Sequence, residues 1–210
     1  MQKQHAIKPK RLTRQESKDL TRERLLEAAH TLFLEQGYAG ATIEDITAAA
    51  GFTRGAFYSN FDGKPQILLE LLLRSYASMM SEAHEIAASG SDVDQMRSAL
   101  LAYYGKLLDQ REYFLLCAEA RLLSMRDADF RQRFNEVLEN EHGQIVQLMD
   151  AFRAHPGIRT RMPSNVLAIG FAAMLQGVQA FTTSTPDFLS TPLAQATLSG
   201  FMDQILFDRQ

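Results

Sequence analysis

The sequence predicts an all-α protein of 210 residues with about nine helices. Apolar residues recur at three- and four-residue spacing along most of the chain, the period of an amphipathic helix. No strand-like alternation competes with that pattern. Glycines, prolines and short polar clusters interrupt it where helices should begin and end.

Residues 1 to about 17 read as a flexible arm, carrying Lys3, Lys8, Lys10, Arg11 and Arg14. A first helix is expected from near Lys18 to Gln36, on the spacing of Leu25, Ala29, Leu32 and Phe33. Gly37 should end it, with Tyr38-Ala39-Gly40 as a loop. Residues 42–64, TIEDITAAAGFTRGAFYSNFDGK, read as two short helices around a tight turn. Thr42 and Asp45 have the spacing of a capping box. Ile43, Ile46 and Ala50 share one face. Gly51 supplies the break, because a residue without Cβ takes positive φ at little cost. Thr53 caps the next helix, whose Phe57 and Phe61 point inward. Such a pair lets one helix enter a DNA major groove while the other braces it.

Lys64-Pro65 opens a fourth helix, with Ile67, Leu68, Leu71, Leu72 and Met79 running towards Ala88, and Ser89-Gly90-Ser91 stopping it. Further helices are expected over 92–109, on Met96, Leu100, Tyr103 and Leu107, and over 112–125, which is mostly apolar and so buried on several sides. A long charged helix follows, from Asp127 to about Arg153, with Phe130, Phe134, Val137, Leu138, Ile145, Leu148 and Phe152 as its apolar stripe. His155-Pro156-Gly157 breaks the pattern, and Arg159-Thr160-Arg161-Met162-Pro163 continues the loop. Helices over 164–184 and 192–207 close the chain. The division between a small N-terminal unit, 1–64, and a larger helical body, 65–210, falls near Lys64.

Composition narrows the class. Hydrophobic residues make up 46%, enough for a sizeable core. No unbroken run of about 18 apolar residues occurs, so no membrane partner is expected; the longest candidate, Val166 to Leu175, is followed by Gln176. The N-terminus lacks the apolar stretch of a secretory signal. Cys117 is the single cysteine, which excludes an intramolecular disulfide and fits a reducing cytoplasm. The net charge of −3 argues against nonspecific nucleic-acid binding. It is unevenly spread, however. Residues 1–64 hold ten Lys/Arg against eight Asp/Glu, and the rest twelve against seventeen. A basic bias at one end suits a nucleic-acid contact, and suits a solvated tail equally.

From about Thr21 to Tyr76 the chain resembles the tetracycline-repressor (TetR) family of bacterial transcription regulators. The G-Y-x-x-x-T turn, the I-T-x-x-A-G step and the G-x-F-Y-x-x-F-x-x-K segment occur in order within LLEAAHTLFLEQGYAGATIEDITAAAGFTRGAFYSNFDGK. The resemblance implies three helices for DNA, and about six for ligand binding and dimerisation. It implies a one-component repressor that leaves a palindromic double-stranded DNA operator when a small molecule binds.

Carried onto this sequence, the motif gives Thr42, Thr53, Arg54, Gly55, Ala56, Tyr58, Ser59, Asn60 and Lys64 as DNA contacts. Thr42, Thr53 and Lys64 stand at helix N-termini, which attract phosphate. Tyr58 can donate to phosphate. Arg54 suits guanine, and Asn60 suits adenine or a phosphate. Ala56 can touch a thymine methyl, while Ser59 reads equally as a surface group and Gly55 as a packing position. The basic arm can enter a minor groove or stay in solvent.

In the body, Met79, Tyr103, Tyr104, Phe114, Cys117, Arg121, Phe171 and Met174 are candidates to line a pocket for an apolar or amphipathic ligand. Glu119 and Arg121 interrupt a greasy helix, as a polar handle or as groups paired elsewhere, and Gln176 and Gln179 admit the same two readings. Cys117 is either a sensor or an inert buried thiol. A homodimer seam is expected on the last two helices, from Gly170, Ala173, Gly177, Phe181, Leu198, Phe201 and Ile205. The five histidines lack metal-ligand spacing, and no nucleophile–base pair or phosphate-cradling loop stands out, so neither an enzyme nor a cofactor is expected.

Overall fold

A computed structural model describes residues 13–89, 92–156, 158, 160 and 162–206. Every regular element among them is an α-helix, in agreement with the predicted class. Helix α1 (Arg14–Gly40) begins earlier than the expected Lys18. Its cap was hidden in what reads as an arm. The Thr13 N–H donates to Glu16 Oε2 (2.7 Å), and the Glu16 N–H donates back to Thr13 Oγ1 (3.1 Å). These bonds satisfy donors that a helix start otherwise leaves unpaired. Arg14 and Lys18 therefore sit on α1, while Lys3, Lys8, Lys10 and Arg11 lie outside the described residues. Gly37 interrupts α1 with φ 74°, ψ 162°, and Tyr38–Gly40 add a further turn in place of the expected loop.

Helices α2 (Ile43–Ala50) and α3 (Arg54–Tyr58) follow, then α4 (Lys64–Ala88), α5 (Val93–Leu108) and α6 (Arg111–Arg126). The chain continues with α7 (Ala128–Arg153), α8 (Ser164–Ser184) and α9 (Thr191–Leu206). Asp92 caps α5 and Asp127 caps α7 through their carboxylates. The punctuation expected at Gly90, Ser91, Gly157, Arg159, Arg161 and Phe207 lies outside the described residues.

The contacts divide the chain after Ile67 into two units. In the first, α1 packs on α2 and α3. Its core holds Leu25, Leu26, Ala29, Phe33, Ile46, Phe57 and Phe61. In the second, α5 packs on α8 and α9, and α6 and α7 pack on each other and on α8. Leu100, Leu107, Phe152, Leu198 and Met202 lie at its centre. The Arg97 guanidinium grips the Asp203 carboxylate with two nitrogens and ties α5 to α9. Leu198 is fully buried in this core, which removes it from the expected seam: it lies on the inner face of α9.

Helix α8 is long and apolar enough, by length and composition, to cross a membrane. No unbroken apolar run marks it in the sequence. Its average is high (hydropathy 1.4) because apolar residues occupy more than one face. Leu167, Ala168 and Val178 are buried, while Val166, Ile169 and Phe181 are exposed. Gln179 is also buried and donates through Nε2 to the Leu107 carbonyl of α5 (2.7 Å).

Gly51 ends α2 at φ 74°, ψ 30°, as the turn requires. A Cβ there would meet nothing within 4 Å, so a side chain has room and only the backbone conformation resists it. Gly51→Ala is expected to destabilise the chain by about 1 kcal/mol through that strain alone. Urea unfolding of wild type and variant measures this, and equal midpoints would contradict it.

Candidate functional site

Two places carry chemistry, one in each unit. In the first unit, α2 starts from a closed capping box. Thr42 donates its N–H to Asp45 Oδ2 (3.0 Å), and Asp45 donates its N–H to Thr42 Oγ1 (3.1 Å). The hydroxyl of Thr42 also donates to Asp45, whose carboxyl is held below its usual range by these bonds. The positive end of α2 thus already has a carboxylate beside it.

Helix α3 is one and a half turns long. Thr53 caps it by accepting from the Ala56 N–H (3.2 Å). Phe57 and Phe61 are buried, and the other side of the helix faces out. Arg54 Nη1 lies 2.7 Å from Glu44 Oε1, but the two side chains are 61% and 59% exposed. A pair so exposed contributes roughly 0–1 kcal/mol, so Arg54 is readily released to another partner. Its guanidinium also lies 5.7 Å from the ring centre of Tyr58, which is half exposed. Thr53, Arg54, Gly55, Tyr58 and Ser59 are exposed together, with Ala56 half-buried between them.

Two predicted contacts are turned inward. The Asn60 amide donates to the Ala56 carbonyl (2.8 Å), and its Oδ1 is buried without a hydrogen-bond partner. Its geometry is that of a helix end rather than of a base reader. The Lys64 ammonium donates to the carbonyls of Tyr38 (2.7 Å) and Ala41 (2.6 Å) and lies over the Tyr38 ring. Any role for Lys64 in holding phosphate falls to its backbone at the start of α4, since the side chain is bound to the carbonyls at the end of α1.

In the second unit a cavity opens between α4, α5, α7 and α8, with Tyr113 of α6 at its wall. Its volume is about 80 Å³, so the cavity is narrow. Met79, Met80 and Met149 are flexible enough to change its shape.

Of the predicted lining residues, Met79, Tyr103, Tyr104 and Phe171 are present, and the rings of Tyr104 and Phe171 lie 5.6 Å apart. Phe114, Cys117, Arg121 and Met174 are not on the wall. The register of α6 turns Tyr113 inward in place of Phe114. Arg121 donates from Nη2 to Gln176 Oε1 (2.5 Å), and it is Gln176 that faces the space. Met174 is half-buried against the core. Cys117 is buried, and burial pushes its thiol up to about 12, so it is protonated at neutral pH and unsuited to attack.

The residue that sequence reasoning missed is Glu141 of α7. It is 8% exposed and lies on the cavity wall. The Tyr113 hydroxyl donates to its carboxylate, 3.2 Å from each oxygen, and the Tyr76 hydroxyl donates to its backbone carbonyl (2.7 Å). Burial raises its carboxyl to about 7, against the opposing pull of Tyr113 and, more weakly, of Arg121. A signal was available. The apolar stripe Phe134, Val137, Ile145, Leu148 has a gap where Glu141 falls, and a charge at a core position is a flag.

A short helix-turn-helix unit with an outward second helix, joined to a helical unit with its own cavity, defines a helix-turn-helix protein of regulatory type. The model of "Bacterial regulatory proteins, tetR family" matches residues 25–71. That segment, the helix-turn-helix unit and the first turns of α4, is of the tetR family. The chain is 33% identical over 129 residues to the transcriptional repressor KstR2 of Rhodococcus jostii, covering 56% of this chain and 63% of that protein. It is 34% identical over 109 residues to the transcriptional regulator TtgR of Pseudomonas putida, covering 48% and 49%. The match thus spans less than two thirds of either relative. The fold is similar to the SmeT–triclosan complex (TM-score 0.69, 21% identity, 90% of this chain and 92% of that one). SmeT is the repressor of the Stenotrophomonas maltophilia multidrug efflux pump SmeDEF.

Glu141 makes a stability prediction. Between its ordinary value of 4.5 and about 7, the folded chain keeps a proton that the unfolded chain has released. The contribution of this group therefore favours folding at low pH and is lost as pH rises through about 7. Replacing the carboxyl by the uncharged amide in Glu141→Gln should leave the variant gaining on wild type from pH 5 to pH 8, by on the order of 1–3 kcal/mol. Urea unfolding at several pH values measures the difference. A constant offset would mean that Glu141 does not titrate in this range.

Proposed function

We propose that the chain is a transcriptional repressor of the one-component kind, working in the bacterial cytoplasm as a homodimer on a palindromic operator. Residues 1–64 read DNA, and residues 65–210 take a small apolar or amphipathic effector and the second copy. The observation that carries this reading is the outward face of α3. Arg54, Gly55, Tyr58 and Ser59 are exposed on a helix whose other side is anchored by Phe57 and Phe61. In a major groove, Arg54 would exchange its exposed pair with Glu44 for guanine O6 and N7. Tyr58, Thr53 and Ser59 would contact backbone oxygens, which set position without reading sequence.

One α3 covers few base pairs, and two related by a two-fold axis cover a palindrome. The outer faces of α8 and α9 are the seam. Ile169 (59%), Phe181 (50%) and Phe201 (60%) are exposed there. A Cβ on Gly170, Gly177 or Gly200 would meet open space in the single chain, and their smallness lets a second copy come close. Ala173 belongs to the same face, Ile205 is half-buried at its border, and Leu198 is no part of it.

Release follows from a population shift. Helix α4 is one continuous element: Lys64 ties its first turn within the first unit, and Tyr76, Met79 and Met80 line the cavity of the second. An effector that favours one setting of α4 would change how the two reading helices match successive major grooves. That SmeT is a repressor with a triclosan complex supports this reading for a chain of the same fold.

Selection of bound sequences from random duplexes identifies the operator. On that operator, Arg54→Ala should weaken binding by about 1–3 kcal/mol and relax one base position. Unchanged affinity and preference would remove Arg54 as the base reader. Phe181→Glu combined with Phe201→Glu should give a monomer in sedimentation at micromolar concentration, with helical content retained and operator affinity lost. A dimer persisting in that variant would place the seam elsewhere.

A further inference from the structure

We infer that the cavity of the second unit selects an organic cation, a protonated amine or quaternary ammonium on an apolar body, with the Glu141 carboxylate as counter-charge and the Tyr104 hydroxyl as a second polar contact. The inference rests on the reading of this cavity as the effector site and names the chemistry that it takes.

Two polar groups of a mostly apolar space are incompletely matched, whereas Gln176, Gln179, Tyr76 and Tyr103 are hydrogen-bonded within the chain. Glu141 is buried, and among the described residues its carboxylate accepts only from Tyr113. Among the described residues no Lys, Arg or His forms an ion pair with it. Arg121, the cation whose charge reaches it, directs its guanidinium to Gln176. Tyr104 is the second group. Its hydroxyl is buried, lines the same cavity and has no hydrogen-bond partner among the described residues. A buried polar atom left without a partner is costly, and a ligand that supplies the partner removes that cost.

An ammonium group answers both. It offers positive charge to the carboxylate and an N–H or a polarised C–H to the phenol oxygen, while tyrosine rings present their negative faces to it. Leu100, Leu148 and Phe152 supply the wall for an apolar body. A neutral ligand could donate a hydrogen bond to Glu141 but would leave its charge unbalanced. An anion would meet a buried carboxylate and would need Arg121 to abandon Gln176.

Three probes with one body and different charge test this: phenylbutylamine, phenylbutanol and phenylbutyrate. Calorimetric titration of the full chain at about pH 8 keeps Glu141 ionised. The amine should bind at least about ten-fold more tightly than the alcohol, and the butyrate most weakly. Glu141→Gln should bring the amine down to within about two-fold of the alcohol. Tyr104→Phe should lower amine affinity more than alcohol affinity. Equal or tighter binding of the alcohol or the butyrate overturns the inference, as does a cation preference that survives in Glu141→Gln. Failure of the amine to bind by about 1 mM overturns it too. The wild-type series decides even if a variant fails to fold. Anisotropy of a labelled operator separates the two readings. An amine that binds without releasing DNA leaves the cation site standing and removes the effector role. An alcohol that binds and releases DNA as well as the amine does the reverse.

Discussion

Burial of Phe57 and Phe61 is the constraint on which the reading unit depends. Five residues are too few to hold a helix in water, because nucleation fixes several residues for one hydrogen bond. The two phenylalanines, four positions apart, bury one side of α3, and each is worth roughly 1.5–3 kcal/mol. Arg54 and Tyr58 are also four positions apart, and both side chains are exposed beside that anchored pair. Arg22 of α1 completes the clamp, donating to the Asn60 carbonyl (2.5 Å) with its guanidinium 4.1 Å from the centre of the Phe61 ring. Lys64 makes a similar clamp on the carbonyls of Tyr38 and Ala41. Two of the ten basic residues that tilt the N-terminal charge are therefore spent inside the unit. Charge counting overstates what is left for a duplex.

The reading unit was legible because its signals are local. The capping box at Thr42, the glycine at 51 and the cap at Thr53 each depend on residues within three or four positions, and each stands where the spacing predicts. The start of α1 was missed for a related reason. Thr13 and Glu16 have the capping-box spacing, but no apolar stripe follows at once to draw attention to them. In the body, helix bounds were legible and helix faces less so. A helix that is apolar nearly all round does not announce its rotation, and so Tyr113 and Phe114 exchanged roles on α6. Leu198 and Phe201 are both apolar on α9, yet one is fully buried and the other exposed, a difference set by how α5 and α8 pack on α9.

Glu141 shows the opposite limit. It was hidden among the charges of α7, in the run Glu139-Asn140-Glu141-His142, where a solvated face is the ordinary expectation. Only its phase marks it. Seven residues after Phe134 and seven before Leu148, it occupies the buried stripe of a helix whose other charges face out. A charged residue retained at such a position costs stability unless something balances it. Burial raises the Glu141 carboxyl to about 7, so the group keeps its proton to higher pH and the cost of a buried charge is lessened.

Helix α8 brings these threads together. Phe171, Ala172, Leu175, Gln176 and Gln179 look into the cavity, and Ile169, Ala173, Gly177 and Phe181 look away from it. The polar groups on the inner face are held: Gln179 by a carbonyl of α5, and Gln176 by Arg121 of α6. On the outer face Phe181 meets the ring of Phe188, 5.4 Å between centres, and both remain exposed. In the proposed dimer, effector and second copy would act on opposite sides of one element. A ligand that drew Gln176 or Phe171 towards it would move the same backbone that carries Gly177 and Phe181. Coupling of this kind is reciprocal, so occupancy of the cavity and association of the two copies must alter each other by the same factor. The length and all-round apolarity that make α8 resemble a membrane span are, on this view, what a helix needs to face a core and cavity on one side and a partner on the other.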